Sequence, residues 1–99
     1  MSGSSGKESS LVSLHYLMLT RSNYTTWAIK MKVFMHAQGV WDVVEYAGKK
    51  EELDSKKDQT ALAAIYQGIP EETLLAVSEK ETSKEVWECI KTMYQGANA

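Results

Sequence analysis

The chain has 99 residues, which fits one domain, and its 43% hydrophobic and 24% charged composition is that of an ordinary globular protein. Eleven Lys and Arg stand against thirteen Asp and Glu, for a net charge of −2 and a pI near 5.6, which argues against the basic stripe that phosphate contacts require. One cysteine, Cys89, excludes an internal disulfide, no apolar run reaches the ~18 residues of a membrane span, and no signal-peptide pattern opens the chain; a cytoplasmic protein is expected.

Met1 to Ser10 is rich in Ser and Gly and reads as a disordered tail or linker. Residues 11–97 read as a single helical domain. Leu11 to Leu19 is apolar without a clear period, and reads as an extended arm or, alternatively, a short helix. A first helix is predicted from Tyr24 to Gln38, with Asn23 as the N-cap and Gly39 as its stop. Tyr24, Trp27, Ala28, Met31, Phe34, Met35 and Gln38 share one face at helical spacing. Val40 to Tyr46 predicts a short helix or turn packed under it. Ala47 to Glu52 is polar, contains Gly48, and reads as a surface loop.

A third helix is predicted from Ser55 to Gln67, capped by Asp54 or Ser55 and stopped by Gly68, with Leu62, Ile65, Tyr66 and Ile69 on its apolar side. Pro70 suits the first position of a short fourth helix reaching Ser78, and Glu71 and Glu72 suit the positive end of its dipole. Thr82-Ser83-Lys84-Glu85 reads as a capping box for a fifth helix, Thr82 bonding forward and Glu85 reaching back. Val86, Trp87, Cys89, Ile90, Met93 and Tyr94 form its inward stripe, Lys84, Glu88, Lys91 and Gln95 its solvent face, and Gly96 its end. The expected fold is all-α, a compact bundle of about five short helices.

No residues assemble into an expected catalytic centre. Cys89 lies in a core stripe, where a thiol acts as a small hydrophobe. His15 and His36 have no acidic or Cys partner at ligand spacing, so no metal site is expected. Glu71 and Glu72 are first-turn acids rather than a catalytic pair, Lys49 to Glu52 is a solvated charge cluster, and no phosphate-binding glycine loop is present. No enzyme activity, cofactor or small-molecule substrate is expected. One feature departs from simple amphipathy: Ile29 and Val33 lie opposite the main stripe of the first helix, one turn apart, and His36 continues that line. Either another element of the domain covers them, or a protein partner does. These three are the candidate interaction residues.

Four blocks carry a resemblance. Leu19-Thr20-Arg21-Ser22-Asn23-Tyr24-Thr25-Thr26-Trp27 resembles the opening signature of the Gag polyprotein of copia-type LTR retrotransposons, especially those of plants. Val40-Trp41-Asp42-Val43-Val44-Glu45 is similar to the next block. Ala61-Leu62-Ala63-Ala64-Ile65-Tyr66 with Ile69-Pro70-Glu71-Glu72 is similar to the third, and Thr82-Ser83-Lys84-Glu85-Val86-Trp87 with Lys91-Thr92-Met93-Tyr94 to the fourth. The resemblance runs from about Leu17 to Gly96. Arg21 departs from it, where many members have Gly, and so does Leu17, near which relatives often carry Pro.

The resemblance implies the N-terminal part of a capsid region, similar to a retroviral capsid N-terminal domain, which self-associates into a particle enclosing the element's RNA. Many members carry a Cys–Cys–His–Cys zinc knuckle further on, and the present sequence has none. The signature aromatics Tyr24, Trp27, Trp41, Trp87 and Tyr94 fall on inward stripes and read as core. The first functional reading is therefore a structural Gag domain whose partner is its own copy. A domesticated Gag-like module in a host protein, binding a different protein, is the alternative. A small RNA-binding domain is the third reading, disfavoured by the charge; neither a membrane nor a nucleic acid is an expected partner.

Overall fold

The computed structural model describes residues 17–97. The expected tail at 1–10 and the first part of the apolar arm, 11–16, lie outside the described residues. Among the described residues the fold is all-α, with five helices and no strand.

Helix α1 spans Tyr24–Ala37. Tyr24, Trp27, Met31 and Met35 recur at three- and four-residue spacing and are all buried. Asn23 sits at the N-cap position, but its side chain does not cap the helix. Its Oδ1 accepts from the Thr20 amide at 2.7 Å, and its Nδ2 donates to the Met18 carbonyl at 2.9 Å. An amide side chain carries both a donor and an acceptor, and both serve the preceding turn, tying it to the arm. At the other end, the Gly39 amide donates to His36 O and the Val40 amide to Met35 O, each at 2.9 Å. This is a Schellman motif, and Gly39 supplies the positive φ of 74° that it requires. Val40 and Met35, the residues this closure brings together, are both buried. Gln38, expected on the inward face, is exposed, because the chain has left the helix there.

Of the two readings for 40–46, the helix is realised: α2 spans Trp41–Val44, with Trp41, Val43 and Val44 buried. The polar loop that follows holds one 3-10 turn, Lys50–Glu52. Helix α3 spans Ser55–Gln67, and Asp54 caps it by accepting from the Lys57 amide at 3.1 Å. Its inward face is Ala61, Leu62, Ala64 and Ile65, with Tyr66 only half-buried. The two alanines, which the hydrophobic pattern did not single out, let its backbone approach the neighbouring helices. Helix α4 spans Glu71–Val77, directly after Pro70.

Helix α5 spans Ser83–Ala97. Thr82 bonds forward as expected, accepting from the Glu85 amide at 3.2 Å. Glu85 reaches one residue further back than a capping box does, accepting from the Glu81 amide at 2.8 Å. Gly96 does not end the helix, which continues to Ala97; a single glycine costs only about 1 kcal/mol in a helix. Lys84, expected on the solvent face, is half-buried and donates from Nζ to the Tyr46 carbonyl at 2.9 Å.

Two polar contacts set the helices against one another. The Gly68 carbonyl, just past the end of α3, accepts from Trp27 Nε1 at 2.9 Å and from the Leu19 amide at 2.8 Å. That fixes α1, α3 and the extended arm at one point, with Leu19 buried beneath. Across the domain, the buried Asp58 of α3 accepts from the Ser83 amide at 3.0 Å and from Ser83 Oγ at 2.6 Å. The first turn of α5 thus receives its acceptor from another helix.

Replacing Asp58 with Ala leaves two buried donors without an acceptor, at about 1–3 kcal/mol for each unsatisfied group. Denaturant unfolding should show a lower midpoint with an unchanged slope; an unchanged midpoint would contradict this role. The Glu85 carboxyl titrates below the usual glutamate range, chiefly because the Glu81 amide donates to it. Its contribution to stability is therefore complete above the ordinary value of 4.5 and is lost as pH falls through the lowered one. The stability difference between wild type and Glu85→Gln should be flat above that value and change only below it. A difference that already changes between pH 5 and 7 would refute the assignment.

Candidate interaction surface

The signature aromatics form one continuous stack through the domain. Tyr94 of α5 stacks on Tyr24 at 6.3 Å between ring centroids, and Tyr24 lies 6.2 Å from Trp27. Trp27 stacks on Trp87 at 5.6 Å, and Trp87 meets the edge of Trp41 at 5.2 Å. Such offset and edge-on pairs each add about 0.5–1.5 kcal/mol beyond the area they bury. Tyr24, Trp27, Trp41 and Tyr94 are buried as expected, while Trp87 is only half-buried. Both ends of the stack are tied. The Tyr94 and Thr73 hydroxyls hydrogen-bond at 2.6 Å, and Lys32 Nζ lies 5.2 Å above the Trp41 ring. Burial, and then the nearby Glu88 carboxylate, push the Tyr24 hydroxyl above its ordinary value. Cys89 is half-buried rather than fully enclosed, with Sγ 3.8 Å from Met93 Sδ.

The opposite face of α1 is open. Ile29 is 59% exposed and Val33 62% exposed. Of the two sequence readings, no other element among the described residues covers them. They line a shallow groove with Lys30, Phe34 and Ala37. Phe34, expected on the inward stripe, is half-buried at the groove's edge. His36 is exposed but stands to the other side of the line, its ring 5.7 Å from Trp41. The groove therefore keeps Ile29 and Val33 and exchanges His36 for Ala37, four residues beyond Val33 and so directly in line with it on a helix. Helix α1 carries Lys30 and Lys32 and no acidic residue; Lys30 borders the apolar strip, while Lys32 lies over the Trp41 ring.

Sequence reasoning missed two further exposed apolar residues, Met18 on the arm and Leu75. Leu75 on α4 is 65% exposed. Its signal was present: it lies four residues after Glu71 and three after Glu72, which places it on their outward face. Among the described residues, no group of three or more His, Cys, Asp or Glu side chains gathers where it could hold a metal ion. No described helix is long and apolar enough to cross a membrane.

The model of a domain of unknown function, DUF4219, matches residues 19–45; this domain is found in retrotransposon Gag-like proteins. The match begins at the buried Leu19 of the arm and ends at Glu45, the residue closing α2. It contains Tyr24, Trp27 and Trp41 of the stack, and both Ile29 and Val33 of the groove. No curated protein and no solved structure matches the chain.

Proposed function

We propose that this chain is a non-enzymatic structural domain of a copia-type retrotransposon Gag, of the plant kind, that associates with further copies of itself in the cytoplasm as part of a capsid-like particle. The observation that carries the reading is the division of α1. Its inward face holds Trp27 and Met35 almost wholly buried, while Ile29 and Val33 on its outward face stay in water. Single exposed apolar side chains are ordinary on a surface, but adjoining ones that share a groove, as Ile29 and Val33 do, are what an interface uses. The match of residues 19–45 to a domain of Gag-like proteins covers this helix in full and supports the same reading. So does the four-block resemblance, which extends to α5 and implies a likeness to retroviral capsid N-terminal domains.

Full burial of one aliphatic side chain contributes about 1.5–3 kcal/mol. Two such residues on one small face give weak association, as suits a domain that assembles in many copies. Light scattering after size exclusion, over a concentration series, tests this. The wild-type mass should rise with concentration, and Ile29→Asp with Val33→Asp should remain monomeric with an unchanged circular dichroism spectrum. A wild type that stays a strict monomer would overturn self-association and leave the host-module reading, with a different protein on the same face.

A further inference from the structure

We infer that the outward face of α1 is occupied by the outward face of α4 from a second copy, so that copies join head to tail; this rests on the self-association proposed above. The large apolar side chains exposed among the described residues are Met18, Ile29, Val33 and Leu75. Setting aside the arm's Met18, they fall on two helical faces of different character. The α1 face is a groove floored by Ile29 and Val33 and bordered by Lys30, on a helix without acids. The α4 face is a single projecting leucine. Glu71 and Glu72 precede Leu75 by about one turn and Glu79 follows it in the turn after the helix, and all three are exposed.

The charges decide which faces meet. Two α1 faces brought together would set lysines against lysines, and two α4 faces would set glutamates against glutamates. Like-charge juxtaposition is strongly unfavourable at an interface. The crossed pairing places Leu75 in the Ile29–Val33 groove and glutamates beside Lys30. Lys30 lines the groove, and among the described residues the salt bridges, Lys50–Glu81 and Lys57–Asp42, use neither it nor the α4 glutamates, whereas Lys32 is turned to the Trp41 ring. Glu72 shares a crevice with Arg21, which leaves Glu71 and Glu79 as the principal partners for Lys30. Both faces look into solvent within one molecule, so the contact forms between copies. It also leaves one α1 face and one α4 face unused at the ends, so it propagates into a ring or filament instead of stopping at a dimer.

The test uses two variants that each lack one face: Ile29→Asp with Val33→Asp, and Leu75→Asp. Because all three positions are exposed, both variants should keep the wild-type circular dichroism; Leu75→Ala serves if the aspartate disturbs α4. In sedimentation velocity, each variant alone should associate at least about tenfold more weakly than wild type. Mixed in equal amounts, they should form a one-to-one complex and nothing larger, since only one good α1 face and one good α4 face remain. Charge exchange gives a second readout: Lys30→Glu should recover association when mixed with Glu71→Lys plus Glu79→Lys. A Leu75→Asp variant that assembles like wild type, or a mixture that forms no complex, would overturn the head-to-tail pairing while leaving self-association through α1 standing. A monomeric wild type would overturn both.

Discussion

Trp27 brings an indole N–H into the interior, and a buried donor without an acceptor costs about 1–3 kcal/mol. The acceptor is the Gly68 carbonyl, 2.9 Å away at the end of α3. The residue at 68 must be small for this bond to form. A Cβ there would lie 2.9 Å from Trp27 Nε1 and 3.0 Å from the end of the Met31 side chain. The requirement is for space and not for backbone conformation, because Gly68 has an ordinary φ of −106°. The same carbonyl also holds the Leu19 amide. One atom thus sets the height of α1 on α3 and the course of the arm. With Trp27 fixed, its ring positions Trp87 on one side and Tyr24 on the other. Through them Trp41 and Tyr94 are placed in turn.

The aromatic side chains are thereby committed to the interior, and this is why the outward strip of α1 is informative. The inward stripe of α1 is complete without Ile29 and Val33, which remain mostly exposed. The domain match covers this helix in full, while the Gag-like blocks touch it only in its first turn, Tyr24 to Trp27. The signature residues build the domain, while the contact with another copy is proposed to lie between them in sequence and opposite them in space.

Much of this was legible in the sequence because it is written in local spacing. The inward stripes of α1 and α5, the Gly39 stop and the Asp54 cap each depend on residues within a turn or two. What escaped depends on distant partners. Nothing near Asp58 in sequence indicates that it serves Ser83, which comes 25 residues later. Lys84 looked solvated because its acceptor, the Tyr46 carbonyl, lies 38 residues earlier. Asn23 misled for a different reason: it had two sets of backbone groups within reach, and the arm and turn took both of its polar atoms. The strip at Ile29 and Val33 was visible as a second apolar line. Periodicity fixes which way a residue points, but not whether another element arrives to cover it. His36 was placed in that strip because it continues the spacing; the ring instead leans toward Trp41.

The central claim is that the two faces of α1 have separate tasks, and amide and indole NMR shifts across a dilution series test it most directly. As concentration rises, the account predicts shifts at Ile29, Lys30 and Val33, with the Trp27 indole N–H unmoved. Shifts centred on the Trp27 indole and the aromatic stack, with the outward strip unchanged, would contradict it.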